Sequence, residues 1–314
     1  MSGRKLRARR KRPEDLTGTP LPKSHLALAL AVMVVWGSNF VVIKFALDHL
    51  PPLLLAALRF AFAFLPAAFF LKRPQVPLLN LALYGLLIGT GQFGLLFLAL
   101  KGNITPGLAS LIVQVQVFFT IGLSMCTNKE RVHGYQWVAL LLATSGLLVI
   151  LTHAEGSATP LGITLVIGAG FCWACGNMVS RAAGKVEMLP YVVWSSIFAV
   201  PPLLVLAALF EGVPAITAGL RSADAATWAA VAWQAVGNTI FGYGVWGWLL
   251  ARHPAATIAP MALLVPVFGI GTSALVLGEP LQDWKLLAAA LVMGGLALSI
   301  FWPKAVRRFA APAA

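Results

Sequence analysis

The sequence has very few charged residues. Asp, Glu, Lys and Arg make up only 11% of its 314 residues, whereas hydrophobic residues make up 59%. Soluble domains carry about 25% charged residues, so this composition excludes an ordinary soluble globule. Apolar runs of about 20 residues recur along the chain, and each is long enough to cross a hydrocarbon core of about 30 Å. The sequence therefore predicts an integral membrane protein.

Acidic residues are especially scarce within the apolar runs. Carriers coupled to protons or sodium usually hold a carboxylate inside the membrane. All ten acidic residues instead lie in the N-terminal arm, in loops or at the ends of the runs: Glu14, Asp15, Asp48, Glu130, Glu155, Glu187, Glu211, Asp224, Glu279 and Asp283. The pattern argues against a carboxylate coupling site and leaves coupling through backbone or neutral groups open.

Cysteine is rare as well, with Cys126, Cys172 and Cys175 the three in the chain. The Cys172-x-x-Cys175 spacing is a weak metal or redox signal. It lies inside an apolar helix, with neither a second cysteine pair nor a histidine within the membrane. Small residues that pack between helices explain it better. We predict no metal site and no cofactor.

The sequence also lacks a catalytic constellation. A membrane-embedded enzyme would need a converging nucleophile, acid–base pair or metal cluster. The histidines all lie near the ends of apolar runs: His25, His49, His133, His153 and His253. We therefore predict no catalytic residues, and an enzyme or a receptor remains only as the alternative of another class.

Ten apolar segments are predicted to span the membrane, separated by breaks rich in turn residues such as Pro51-Pro52. They divide the chain into an arm (1–25), two groups of five segments (26–152 and 160–302) and a tail (303–314). The segments are about 26–46, 52–71, 78–100, 106–126, 134–152, 160–181, 191–210, 226–250, 256–277 and 284–302.

The two groups of segments repeat one another. Trp36 to Lys44 and Trp173 to Arg181 are similar stretches, separated by one offset of 137 positions. Gly146 and Gly295 repeat at an offset of 149 positions. Five segments is an odd number, so the second group enters the membrane from the opposite side. The predicted fold is an all-α integral membrane protein of ten transmembrane helices in two inverted five-helix repeats, an arrangement found in secondary transporters.

Positive charge is concentrated on one side of this predicted bundle. The formal net charge is +13, and eight of the 23 Lys and Arg residues precede the first segment. With the N-terminus inside, 18 of them fall on the inner side and three on the outer side. This asymmetry predicts that both termini are cytoplasmic. The basic arm is then interpreted as lying near anionic lipid of the bilayer, with no nucleic-acid partner.

Neutral polar residues inside the segments are the candidate substrate-binding residues. Trp36 and Asn39 are three positions apart and share a helix face. Gln114 and Gln116 lie on different faces of one helix, so they cannot both line one cavity. For any single residue of the set, hydrogen bonding between helices is an equally good explanation. The set is Trp36, Asn39, Gln92, Gln114, Asn177, Asn238 and Tyr243.

Arg59 completes the candidate site. It lies seven residues after Pro52, roughly 10 Å along the second segment. A cation at that depth is costly and needs a partner. Two hypotheses remain open: Arg59 bonds backbone carbonyls of neighbouring helices, or it attracts a substrate carboxylate.

The stretch from Gly237 to Trp248 alternates glycine with aromatic residues. Close packing of helices explains this pattern, and so does a flexible gate lined by aromatic rings. Pro260 and Pro266 interrupt the ninth segment and predict a kink there.

Several of these stretches resemble the EamA family of the drug/metabolite transporter superfamily. The resemblance covers about 27–302. It depends on Trp36-Gly37-Ser38-Asn39-Phe40, Leu58-Arg59-Phe60 and Gly107-Leu108-Ala109-Ser110-Leu111. Within the superfamily, the chain looks most like bacterial inner-membrane exporters of cysteine and O-acetylserine. The stretches that carry this are Pro51-Pro52-Leu53, 114–120, 173–177 and 242–247.

The resemblance implies a ten-helix bundle with a central cavity lined by segments one, three, four, six, eight and nine. It implies an inner-membrane exporter of small amino-acid metabolites that works by alternating access. A broader amino-acid or drug exporter of the same superfamily is the alternative. The substrate range, the coupling ion and the oligomeric state are left open.

Overall fold

The computed structural model describes residues 21–128, 134–153, 158–278 and 281–310. Every extended regular element within these ranges is a helix, and Ile104 and Ala158 form an isolated antiparallel bridge. The predictions that involve His133, Glu155 and most of the basic arm fall outside the described residues, as do Glu130 and Glu279.

The described chain forms a bundle of eleven helical segments. Their bounds are α1 Lys23–Leu47, α2 Pro52–Ala68, α3 Leu78–Leu100, α4 Pro106–Thr127, α5 Gly134–His153, α6 Pro160–Ala182, α7 Met188–Phe210, α8 Val213–Ser222, α9 225–252, α10 255–277 and α11 Asp283–Ala310.

Six helical stretches among the described residues are long and apolar enough to cross a membrane. These are α1, α3, α4, α6, α7 and the Ala259–Leu277 part of α10, and α2 is a shorter apolar helix. Large apolar side chains such as Phe69, Phe70 and Leu275 point outward and are more than 80% exposed. Such a surface suits lipid rather than water. The prediction of an all-α membrane protein is confirmed, and the ten-helix inverted repeat stays a prediction.

Helices of the two predicted groups pack against one another. α5 packs along α11, and α1 packs against the Val265–Leu277 part of α10. α6 packs against the part of α4 that begins at Gln116. Gly37 allows the close approach of α1 to α10, because a Cβ there would lie 2.8 Å from the Val265 carbonyl oxygen. Small residues at helix contacts are how membrane helices approach closely.

Four of the helices are irregular near the middle of the bundle. α3 widens into a π-helix over Leu86–Gly94, and α9 does so over Gln234–Tyr243. α4 and α10 tighten into 3₁₀ turns over Val113–Val115 and Ala259–Leu264. Pro260 lies in the second of these turns, so the α-helix of the ninth segment is interrupted there, while the kink predicted from Pro260 and Pro266 stays a prediction. π-helical turns re-aim side chains and are frequent at functional sites.

Candidate functional site

A small cleft, with a cavity volume of about 30 Å³, lies where the irregular helices meet α1 and α6. Its walls come from α1, α3, α4, α6, α9 and α10, which correspond to the six segments that the family resemblance implies. The lining residues are Trp36, Asn39, Phe40, Ile43, Gln92, Phe93, Leu96, Val113, Trp173, Asn238, Tyr243 and Val265. A concave, mostly apolar site with a few polar groups is typical of small-molecule binding.

Aromatic rings form much of the wall, with Trp36 at their centre. The Trp36 ring centroid lies 5.1 Å from that of Trp173, 4.9 Å from Tyr243 and 5.3 Å from Trp246. A Cβ at Gly242 would overlap the Trp36 indole nitrogen. Glycine at that position therefore makes room for the tryptophan, which supports the packing interpretation of the glycine–aromatic stretch there.

Arg59 lies behind this wall and is completely buried. Its guanidinium donates hydrogen bonds to Thr239 Oγ1 at 2.6 Å, to Gln234 Oε1 at 3.2 Å and to Asn238 Oδ1 at 2.8 Å. Its Cζ also lies 3.5 Å from the ring centroid of Phe93, a cation–π contact. The hypothesis of backbone carbonyl partners is therefore wrong, because all three oxygens belong to side chains.

These contacts leave the charge of Arg59 without a counter-ion among the residues that the structure describes. A buried cation normally pairs with an anion or carries a functional role. The three neutral oxygens compensate for lost water, but they do not cancel the positive charge. The cleft next to Asn238 is therefore favourable to an anionic group.

The hydrogen-bond network continues from Arg59 to α1. Gln234 Nε2 donates to Asn39 Oδ1 at 2.6 Å. Trp36 Nε1 donates a longer bond of 3.4 Å to the backbone carbonyl of Asn238. Two of the predicted site residues on α1 are thereby bonded to α9, across separations of 195 and 202 positions in the sequence.

Two polar atoms of the cleft residues are buried without a partner among the described residues: Gln92 Oε1 and Trp173 Nε1. Buried polar groups are nearly always satisfied, so a free acceptor and a free donor in one cleft indicate a ligand that satisfies both.

The structure does not bring all eight predicted site residues together. Trp36, Asn39, Gln92, Asn238 and Tyr243 line the cleft, and Arg59 lies directly behind it. Gln114 and Asn177 are buried but are not among the lining residues.

Gln114 and Asn177 make other contacts. Gln114 Nε2 donates to the Ser110 carbonyl at 3.0 Å within α4. Asn177 Oδ1 accepts from Trp246 Nε1 at 3.1 Å, and its Nδ2 donates to Thr120 Oγ1, also at 3.1 Å. Asn177 therefore joins three helices and has both ends of its amide satisfied.

Sequence reasoning missed Gln234, Thr239 and Phe93 as parts of the site. One signal was present: a buried arginine in a chain without membrane carboxylates needs neutral acceptors, and Gln234 and Thr239 flank Asn238 in the same segment. The π-helical turn of α9 directs the side chains of Gln234, Asn238 and Thr239 to Arg59, and no pattern in the sequence predicts that turn.

Charged groups also connect helices near the ends of the bundle. The Glu211 carboxylate accepts from the backbone N–H groups of Leu53 and Leu54, at 2.5 and 3.1 Å. It thereby caps the N-terminus of α2, where the helix dipole favours negative charge. Burial raises the pKa of Glu211, while these two bonds oppose the rise.

At another helix end, His25 Nδ1 and His253 Nε2 lie 2.8 Å apart, one donating and the other accepting. Burial, followed by His25 and Arg252, lowers the pKa of His253. Within the described ranges, no three His, Cys, Asp or Glu side chains lie close enough to hold a metal ion.

A bundle of apolar helices around a small cleft, with polar groups directed into it, is the construction of a membrane carrier. The EamA-like transporter family matches residues 23–152 and 160–301. The chain belongs to this family. The prediction that the protein is a transporter rather than an enzyme is confirmed.

Two curated relatives are similar along nearly their whole length. A probable amino-acid metabolite efflux pump of Salmonella typhimurium is 43% identical over 280 residues, which cover 87% of this chain and 94% of the relative. The protein of the same description from Escherichia coli K12 is 41% identical over 289 residues, covering 89% and 97%.

A solved crystal structure has the same fold. It superimposes with a TM-score of 0.71, at 19% sequence identity, and covers 92% of this chain and 99% of its own. At that identity the likeness establishes the fold alone.

Proposed function

We propose that this protein exports small amino-acid metabolites, O-acetylserine and cysteine among them, across the bacterial inner membrane. The observation that carries the proposal is the pair of unpartnered polar atoms in the cleft, the acceptor Gln92 Oε1 and the donor Trp173 Nε1. The names of the two relatives with more than 40% identity support the same substrate class.

The cleft has the chemistry that a small zwitterion needs. A substrate ammonium requires acceptors and a carboxylate requires donors. Gln92 Oε1 and the faces of the aromatic rings suit the ammonium, and Trp173 Nε1 suits the carboxylate. Both contacts are neutral, so binding stays weak enough for the exporter to release its cargo.

We further propose that transport occurs by alternating access in a bundle of ten helices, arranged as two inverted repeats. Two pairs of irregular turns support this arrangement. The π-helix Gln234–Tyr243 begins 148 positions after Leu86–Gly94, and the 3₁₀ turn Ala259–Leu264 begins 146 positions after Val113–Val115. Equivalent breaks in the two halves of a carrier allow them to rock around a shared site.

The orientation follows from charge, and we propose that both termini are cytoplasmic. In this topology the 153–159 loop is outside. Ser157 lies outside the described residues, but its chemistry can be tested directly: a single cysteine there, in a variant without the three native cysteines, should react with an impermeant maleimide in intact cells. Reaction only after lysis would contradict the inverted repeat.

Transport itself is tested in cells and in vesicles. Overproduction should protect cells from toxic external cysteine and raise O-acetylserine or cysteine in the medium. Purified protein in vesicles should move the same compounds in a substrate panel. If the panel shows movement of another amino acid or of a drug instead, the alternative of a broader exporter holds and the specific substrates are wrong.

A further inference from the structure

The direction of every hydrogen bond in the Arg59 network is fixed by chemistry. A guanidinium has five N–H donors and no acceptor, and it stays charged in proteins. Each group bonded to Arg59 must therefore present an oxygen. For Gln234 and Asn238, this places Oε1 and Oδ1 against the guanidinium.

This orientation is relayed to α1. Because the oxygen of Gln234 faces Arg59, its Nε2 is the end left over, and it donates to Asn39 at 2.6 Å. Asn39 must then present its Oδ1 to Gln234. The amide nitrogens of Asn39 and Asn238 are the ends that remain for the cleft, which both residues line.

The cleft thus contains donors and an acceptor whose orientations are set. Asn39 and Asn238 present N–H donors on the side of the buried cation. Gln92 presents an unpartnered oxygen acceptor, Oε1. An asparagine amide can supply either a donor or an acceptor, so without Arg59 the two asparagines would have no fixed polarity.

We propose that Arg59 is a positioning residue that turns Asn39 and Asn238 into paired donors for a substrate carboxylate. The transporter then requires a carboxylate on its substrates and discriminates against the matching carboxamides and decarboxylated amines. This inference depends on the proposed function, because it names the substrate group that the same cleft selects. Arg59 itself does not touch the substrate.

Gln234→Glu is the decisive variant. It keeps the size of the side chain and gives Arg59 an anionic partner, so the bundle is expected to fold. A carboxylate cannot donate, so Asn39 must turn its nitrogen toward position 234 and its oxygen toward the cleft. The variant also neutralises the positive field of Arg59, and both changes disfavour a substrate carboxylate.

The measurement is competition in vesicles. Uptake of a labelled amino acid that the wild type transports is inhibited either by the unlabelled amino acid or by its carboxamide. We expect the wild type to prefer the acid by about ten- to a hundredfold, the worth of one bond to a charged group. Gln234→Glu should reduce that preference at least tenfold, mostly by raising the KM for the acid.

Two further variants support this measurement, and the second separates charge from orientation. Asn238→Asp keeps the bond to Arg59, replaces a cleft donor with an oxygen and, like Gln234→Glu, compensates the charge of Arg59. It should therefore lose the preference as well and serves if Gln234→Glu fails to fold. Gln234→Met removes the hydrogen bonds from Arg59 and to Asn39 without adding charge. Its preference for the acid over the carboxamide should therefore fall, but less than in Gln234→Glu.

Asn103→Asp is the matched control, because it makes the same amide-to-acid change outside the cleft. Its Oδ1 accepts from Thr159 Oγ1 at 3.1 Å, which an aspartate preserves. This control should keep the wild-type preference. Folded Gln234→Glu and Asn238→Asp proteins that still prefer the acid would overturn the inference and leave the proposed function standing. A wild type that transports no amino acid would overturn both.

Discussion

Asn39 and Asn177 occupy similar places in the two repeated stretches and have different surroundings. Asn177 accepts from Trp246 and donates to Thr120, so both ends of its amide are used inside the bundle. Asn39 accepts from Gln234 with its oxygen and lines the cleft. One asparagine holds helices together, and the other has an end left for a ligand.

The difference between the two asparagines comes from their partners. Gln234 reaches Asn39 only because Arg59 takes the other end of the glutamine. Each repeated stretch contains an asparagine, although the two are one position apart at the 137-position offset. The surrounding side chains give Asn177 a structural role and leave Asn39 for binding. Changing these partners, or the asparagines themselves, tests the comparison.

The largest effect is expected from Arg59→Gln, because Arg59 sets the orientation of Gln234 and thereby the difference between Asn39 and Asn177. A glutamine amide reaches fewer of the three acceptors, and each buried oxygen left without a donor costs about 1–3 kcal/mol. We expect a lower folded yield and, in the protein that folds, a higher KM for amino acids. Size-exclusion chromatography and vesicle transport measure the two. Normal yield together with normal kinetics would contradict both roles of Arg59.

The KM for export is expected to distinguish Asn39→Ala from Asn177→Ala. Asn39→Ala should raise the KM about ten- to a hundredfold, because a bond to a charged substrate group is lost. It also removes the acceptor of Gln234 Nε2, so its unfolding temperature falls as well. Asn177→Ala should lower the unfolding temperature in detergent, since the buried Trp246 N–H loses its acceptor at about 1–3 kcal/mol. If Asn177→Ala instead changes only the KM, the comparison between the two asparagines is wrong.

A smaller effect on export is expected from Gln114→Leu. Gln114 was predicted to bind substrate, but it bonds to the Ser110 carbonyl and is not among the cleft residues. Export by this variant should fall less than export by Asn39→Ala, measured in the same vesicles. Equal losses in the two variants would mean that the site extends along α4 to Gln114.

The smallest effect concerns the contact between His25 and His253, whose side chains can gain or lose a proton, whereas the asparagine and glutamine amides cannot. A His253 pKa below its ordinary value of 6.5 means that this side chain binds a proton less readily in the folded protein than in the unfolded chain. As pH falls below about 6.5, the unfolded chain binds the proton first, so stability is lost until the pH passes the folded pKa. The unfolding temperature should therefore drop between about pH 7.5 and pH 5.5. It should drop less in His253→Asn, and equal slopes would show that this histidine is not involved.

Much of the fold could be predicted from the sequence because hydropathy acts locally. The break at Pro51-Pro52 in the sequence coincides with the start of α2 in the structure. The π-helices Leu86–Gly94 and Gln234–Tyr243 could not be predicted. Their turns depend on contacts with other helices rather than on residue type.

The sequence could predict several of the residues that form the site, but not the role of each. Polar residues are rare enough in apolar segments to be identified as candidates, and five of those identified line the cleft. Their assignment to binding or packing was not predictable, as the structure distinguishes Asn39 and Asn238 from Gln114 and Asn177. Interhelical contact depends on rotation of each helix about its axis, which the hydropathy pattern leaves open.

By itself, the sequence determined that the protein lies in a membrane and carries two cations, Lys44 and the deeper Arg59, within its apolar segments. Composition and the length of apolar runs are sufficient for this, because the cost of burying charge in lipid is the same wherever the helix lies. Only the tertiary structure decided which groups surround Arg59. Its partner Gln234 is 175 positions away in the chain, and an amide becomes a donor or an acceptor only when its neighbours are in place.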